Sequence, residues 1–173
     1  MGYAHLLYTK ASLATFRRTF NIPEDVNVAY CHKSEIAFHR GFGTAFLPLM
    51  TILEGGVRFP VDPLLLNTLR FFGLCPDKPP PNFYWVVSYV SRLNQIYDLQ
   101  LNHHDINYMY SLCRNKKTNY YFKVRDMRVR LISCLPDSNR YSVGEFVRVC
   151  GIWFADMKPL APSCGPKLVR IDN

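Results

Sequence analysis

Apolar residues recur at helical spacing in several stretches of this chain and alternate with basic residues in one. The clearest helix opens at Asp62-Pro63. Aspartate suits the cap, proline suits the first helical position, and Leu64, Leu65, Leu66, Leu69 and Phe72 form a broad apolar face before Gly73. A longer helix is expected from an Asn82 cap to about Asp98, with Phe83, Val86, Val87, Val90, Leu93 and Tyr97 on one side. Between them, Cys75 to Asn82 holds four prolines and reads as a rigid connector. A third helix is expected from Asp105 to near Cys113. Upstream, Ser12 can cap a short helix with Leu13, Phe16 and Phe20 on its apolar side, stopped by Pro23. Thr44 can cap another that runs to Glu54 and closes at Gly55-Gly56, with Pro48 near its first turn. Residues 26–43 show no clear period and read as irregular chain.

The pattern changes after residue 119. Tyr120, Phe122 and Val124 alternate with Tyr121, Lys123 and Arg125, and Val129 and Leu131 alternate with Arg128 and Arg130. A turn at Asp126-Met127 would pair Val124 with Val129 and Phe122 with Leu131 on one face. It would also set Arg125 opposite Arg128 and Lys123 opposite Arg130, a mildly destabilising arrangement that a bound anion or solvent can relieve. Ser142 to Val149 reads as a further short helix or strand, followed by Gly151-Ile152-Trp153-Phe154. Beyond Met157 the proline, serine and glycine content predicts an extended tail. These readings predict an α+β fold, helical for about two-thirds of its length. It carries one small antiparallel basic hairpin on a single domain of residues 1–156, with residues 157–173 as a C-terminal tail.

Charge sharpens the picture of the hairpin. The 173 residues carry a formal net charge of +8, and it is unevenly placed. Residues 1–113 hold nine basic and eight acidic groups, whereas residues 114–173 hold twelve and five. Arg114, Lys116, Lys117, Lys123, Arg125, Arg128 and Arg130 face only Asp126 within Arg114 to Arg130. Such an asymmetry points to a polyanion or an acidic partner surface, and equally to a solvated basic face that protects a strand edge.

Composition removes several classes. At 49% hydrophobic the chain is too apolar for a disordered protein, and no apolar run approaches the ~20 residues that span a bilayer. No secretory leader is visible at Met1 to Ala14. An intracellular protein is expected, nuclear or cytoplasmic. The six cysteines, at 31, 75, 113, 134, 150 and 164, never approach the close pairing of a zinc site and read as reduced and structural. A Walker loop, a dinucleotide fingerprint and a G-x-S-x-G elbow are all missing. His103-His104-Asp105 reads as a capping aspartate behind two exposed histidines rather than a metal site. Cys31-His32 has a thiol beside a base, but sequence neighbours rarely form a catalytic dyad. Neither an enzyme nor a cofactor is expected.

Six segments, taken in order, carry a resemblance. They are Phe20-Asn21-Ile22-Pro23-Glu24-Asp25-Val26, Glu54-Gly55-Gly56-Val57-Arg58-Phe59-Pro60-Val61-Asp62-Pro63, Leu69 to Pro76, Pro81-Asn82-Phe83-Tyr84-Trp85, Tyr120-Tyr121-Phe122 and Phe146 to Trp153. Together, over roughly residues 10–155, the chain resembles the plant gypsy-type transposon domain, also described as a transposase domain of gypsy-type elements. The resemblance implies a transposable-element origin and supplies no catalytic residues. Strand transfer needs three carboxylates converging on two metal ions. Of Asp62, Asp98, Asp105, Asp126 and Asp137, the first and third read as helix caps and Asp126 as a turn. The expected function is a non-enzymatic, element-encoded protein, capsid-like or accessory, that binds single-stranded RNA or DNA. Arg114, Lys116, Lys117, Lys123, Arg125, Arg128 and Arg130 would contact phosphates, and Tyr121 on their face would stack on an unpaired base. The alternatives are an interaction module docking an acidic protein partner and a non-functional element remnant.

Overall fold

The computed structural model describes residues 3–39, 43–114, 120–128, 131–132 and 144–154. Of these, 42% are helical and 23% lie in strands, arranged in two sheets. The expected mainly helical fold with a single hairpin is therefore corrected to an α+β fold with a more balanced content. The strands are β1 (Val26–His32), β2 (Ala45–Pro48), β3 (Tyr110–Arg114), β4 (Tyr120–Val124) and β5 (Glu145–Gly151). The helices are α1 (His5–Tyr8), α2 (Lys10–Thr19), α3 (Leu49–Leu53), α4 (Pro63–Phe71), α5 (Pro81–Tyr97) and α6 (His103–Met109).

The larger sheet has the order β1-β5-β2, antiparallel throughout. Register places Val149 beside Val28 and Ala45, and Val147 beside Tyr30 and Leu47. With Val26, these side chains form the sheet face that enters the main core. Because side chains alternate across a strand, Cys31, Phe46 and Phe146 fall on the other face, where Ile36 covers them as a second small cluster. Burial of Val147 and Val149 alone contributes roughly 1.5–3 kcal/mol each before entropy is counted.

Three local readings change for identifiable reasons. Residues 26–32 form β1 rather than irregular chain, because their pairing partner β5 lies at the far end of the sequence. The helix expected from Thr44 splits at Pro48, which lacks an N–H and disfavours helix in the residue before it. Residues 45–48 become β2, and α3 starts at Leu49 with Pro48 as its cap residue. Ser12 is not the cap of α2. Thr9 is, accepting from Ser12 N at 3.0 Å, while Ser12 Oγ accepts from Thr9 N at 3.1 Å in a reciprocal capping box. Arg17 ties that helix to β1 by donating to Val26 O at 2.7 Å and to Pro23 O.

The helix from Asp62-Pro63 forms as expected. The Asp62 carboxylate accepts from Leu64 N at 2.7 Å, and its other oxygen accepts from Ser91 Oγ on α5. At α5, Pro81 occupies the first turn, so Asn82 lies inside the helix and points inward instead of capping. The third helix starts at His103 under an Asn102 cap, with Asp105 closing the box by accepting from Asn102 N at 2.8 Å. It ends at Met109, and residues 110–114 continue as β3.

Of the expected hairpin of 120–125 with 128–131, the described residues 128 and 131 lie outside any strand. β4 pairs with β3, in the register Tyr110–Val124, Ser111–Lys123, Leu112–Phe122, Cys113–Tyr121 and Arg114–Tyr120. That register gives Phe122 and Val124 apolar partners and sets neutral Ser111 opposite Lys123, avoiding like charges across the ladder. Beyond Val124, Arg125 N donates to Met109 O at 3.0 Å, extending the same pairing. Residues 129 and 130 of the expected hairpin, and the tail from 157, lie outside the described residues.

One cluster of buried side chains draws on every α-helix and strand among the described residues. None of the described helices is long and apolar enough to cross a membrane. Cys31, Cys113 and Cys150 are free thiols, and burial pushes the Cys31 thiol pKa up. Gly151 ends β5 at φ 92°, and a Cβ there would lie 2.2 Å from Asp25 O. Gly151→Ala is therefore expected to cost at least about 2 kcal/mol in urea unfolding followed by circular dichroism. A neutral result would contradict the close approach of β5 to the start of β1.

Candidate nucleic-acid interface

The β3–β4 ribbon owes its orientation to aromatic packing. Phe122 stacks on Phe83 of α5 at 4.8 Å between ring centroids and meets Phe72 at 5.5 Å and Tyr110 at 5.8 Å. Asn82 Nδ2, on the same helix, lies 3.4 Å from Phe122 O as a donor. With Tyr120, Phe122 and Val124 turned inward, alternation forces Tyr121, Lys123 and Arg125 outward, beside Ser111 and Cys113 of β3.

Of the eight residues expected to contact nucleic acid, the five described ones do not share one surface. Tyr121, half-buried, and Lys123, exposed, occupy the outer face of the ribbon, with Arg125 at its end. Arg125 Nε donates to Asn107 O at 2.8 Å in the last turn of α6, where a cation also suits the helix dipole. Among the described residues its terminal nitrogens make no hydrogen bond that competes for an anion. Arg114 pairs with Tyr120 on the opposite face and lies 5.9 Å over that ring. Arg128 folds back on Asp126, donating from Nη2 at 2.8 Å and from its backbone N at 2.9 Å. Lys116, Lys117 and Arg130 lie outside the described residues.

Two apolar side chains beside this surface escaped the sequence reading. Tyr108 is 80% exposed at the end of α6, and Met127 is 70% exposed in the turn after β4. The helical period around Tyr108 predicted a helix but did not show that it ends next to the ribbon.

The other candidates from the sequence are dispersed. His103 and His104 pack against each other in a tilted arrangement at 4.3 Å and against Phe71 at 5.0 and 5.1 Å, the latter edge-on. Partial burial and the neighbouring His104 lower the His103 pKa. Cys31 faces the small cluster, whereas the His32 ring turns to Ser34, with Nδ1 2.8 Å from Oγ. Asp62 and Asp105 serve helix starts, Asp98 ends α5 at φ 51°, and Asp126 holds Arg128. Among the described residues no three His, Cys, Asp or Glu side chains gather as a metal site.

A concave feature lies elsewhere, between the loop of residues 54–63 and the outer side of α5. It encloses about 600 Å³ and brings Trp85, Ser88, Tyr89 and Arg92 of the helix opposite Glu54 and Val61 of the loop. Two of the segments that carry the family resemblance build its walls, although spacing alone could not show that they meet. No protein-family model, curated protein or solved structure matches the chain, so that resemblance rests on the sequence blocks alone.

Phe122→Ala is expected to cost about 3–5 kcal/mol in chemical unfolding, against roughly 0.5 kcal/mol or less for Lys123→Ala. Similar losses at the two positions would contradict the register. The Arg128 side chain and backbone N–H hold the Asp126 carboxyl below its ordinary value. The ion pair is thus present at neutral pH and lost as pH falls through that lowered value. In Arg128→Ala, an NMR titration of Asp126 should move up toward the ordinary carboxylate range. An unchanged midpoint would show that Arg128 is not engaged and remains free for another anion.

Proposed function

We propose that this chain is a non-catalytic, element-encoded protein that binds single-stranded RNA or DNA through the outer face of the β3–β4 ribbon. The observation that carries the reading is the shared outward face of Tyr121 and Lys123, with the Arg125 guanidinium fixed at its end. An antiparallel ribbon backed by a packed aromatic core is a stiff platform. A half-buried tyrosine presents a ring edge and part of a face for a base, and flanking cations draw the backbone that links successive bases. The Ser111 hydroxyl, directly across from Lys123, adds a neutral donor at phosphate reach.

The electrostatic part of the reading is smaller than the sequence suggested. Arg128 is satisfied by Asp126, and Arg114 is on the other face. Two cations in the described face give a weak, salt-sensitive contact, suited to a protein that packages nucleic acid through many copies rather than one that binds a single site tightly. That is the manner of a capsid-like or accessory element protein.

Fluorescence anisotropy with labelled single-stranded RNA and duplex DNA at two salt concentrations tests the proposal. Lys123→Ala should flatten the slope of log affinity against log salt by about 0.7–1. Tyr121→Ala should weaken single-strand binding about tenfold without changing that slope. Absence of wild-type binding at low salt, or equal losses from a distant Lys33→Ala control, would overturn the proposal. Saturation by an acidic polypeptide at a defined stoichiometry, with no response to nucleic acid, would assign the face to a protein partner instead.

A further inference from the structure

The two edges of the larger sheet are finished differently. Successive residues of a strand turn their backbone groups to opposite sides. Lys33 N donates to Gly144 O at 2.8 Å in continuation of the β1–β5 register, so residues 27, 29 and 31 bond to β5 and residues 26, 28, 30 and 32 turn away. Val26 is satisfied there, its N donating to Pro23 O at 3.1 Å and its O accepting from Arg17 at 2.7 Å. His32 N donates to Glu35 at 2.8 Å. Among the described residues the outward N–H and C=O groups of Val28 and Tyr30 have no partner. The far edge, β2, is four residues long and blunted: Pro48 carries no N–H, and its O accepts from Thr51 Oγ1 at 2.7 Å. We propose that the β1 edge pairs with the β1 edge of a second copy about a two-fold axis, joining two three-stranded sheets into one of six strands.

The free groups select one register. A two-fold axis sets the strands antiparallel and makes the contact isologous. With Ala29 across from Ala29 of the second copy, Val28 meets Tyr30 and Tyr30 meets Val28, and each pair exchanges two N–H···O bonds. All the free groups of both copies are then used. Centring the axis on Val28 would call instead on Val26, and centring it on Tyr30 would call on His32, whose groups are already bonded within the chain. Alanine suits the central place, because the opposed residues of a non-hydrogen-bonded pair approach to about 4.5 Å between Cα atoms. The two Val28–Tyr30 pairs set a β-branched side chain against a ring, a favourable cross-strand match.

The strand also lacks the devices that keep sheet edges apart. Val26–His32 holds no Lys, Arg, Asp, Glu, Pro or Gly. Room for a further strand is present, since a cavity of about 550 Å³ lies beside the edge between Tyr8 of α1, Tyr30 and Glu35. Tyr8 is 66% exposed and its ring centroid lies 5.0 Å from that of Tyr30, so its apolar surface is available to an incoming strand. Charge complementarity marks both ends of the contact. The register carries Lys33 of one copy toward Asp25 of the other, twice by symmetry. Both residues are exposed, and neither makes an ion pair among the described residues. A second copy therefore fits better than an unrelated extended peptide, because the edge matches itself in spacing, side chains and charge. This pairing stands apart from the nucleic-acid reading, and either can fail without the other.

Sedimentation velocity of the full chain from about 10 μM to about 1 mM tests the pairing, with amide exchange at Val28 and Tyr30 followed by ¹⁵N NMR over the same range. The wild type should dimerise as concentration rises, and both amides should exchange about tenfold more slowly in the dimer. Ala29→Lys and Ala29→Glu, each confirmed folded by circular dichroism, set like charges across the axis and should each weaken association at least about tenfold. Mixing the two variants should restore it, because opposite charges then meet. Should either variant not fold, the exposed pair gives a second reading: Lys33→Glu or Asp25→Lys alone should weaken the dimer about threefold, and the two together in one chain should restore it. No self-association of the wild type overturns the proposal. Amides already protected at the lowest concentration show an edge covered within one chain, and association that survives both Ala29 substitutions belongs to another surface; each overturns it. Losses that neither the mixture nor the charge exchange restores overturn the register, and the proposal with it.

Discussion

The placement of β5 between β1 and β2 is the constraint on which the rest of the structure depends. Neither flanking strand touches the other, so the larger sheet exists only when residues 145–151 have returned to the N-terminal third. The same return is fastened at both ends of β5. Glu145 accepts from the backbone of Tyr3 and Ala4, and Trp153 donates to Gly43 across 110 residues of sequence. Closing such long loops costs entropy before any pairing rewards it, so the buried Val147 and Val149 must supply the compensation. The bridge of Phe154 to Val61 follows from the same placement.

Around α5 a second organising contact is aromatic. Phe83 lies among Tyr84, Phe72 and Phe122, and Tyr84 donates its hydroxyl to Pro76 O in the proline-rich connector. Complete burial drives the Tyr84 pKa well up, so that hydroxyl stays a donor at any physiological pH. This cluster fixes the roll of the β3–β4 ribbon. The chemistry shown to solvent by Tyr121 and Lys123 is thus decided by rings on the opposite face, and the opposite side of α5 is left to line the cleft.

The contrast between charge in sequence and charge in space bears on function. A run with seven basic residues against one acid looked like a single polycationic surface. In the fold its described members are divided by strand alternation, by a local ion pair and by a helix end. Among the described residues the ribbon shows a modest cationic and aromatic face, and modest faces act through repetition or through partners that present many equivalent contacts.

Local chemistry made part of this architecture legible from the residues alone. Asp62-Pro63 carries its cap and its first helical residue side by side, the apolar face of α5 repeats over a length that only a helix explains, and Tyr120 to Arg125 alternates as a strand must. Each of these is decided within a few residues, where backbone preference and periodicity act directly. The partner of that strand was not decided there. Among the described residues its partner is β3, which matches Phe122 and Val124 without setting arginine against arginine. Residues 26–32 lack a clean strand period, because Val28, Ala29, Tyr30 and Cys31 run together without alternation, and their strand forms against β5. Helix starts and strand periods were therefore set by the sequence through short-range sterics and hydrogen bonding. Strand partners, the division of the basic residues and the meeting of the 54–63 loop with α5 were set by the tertiary structure, because each depends on which distant surfaces the core brings together.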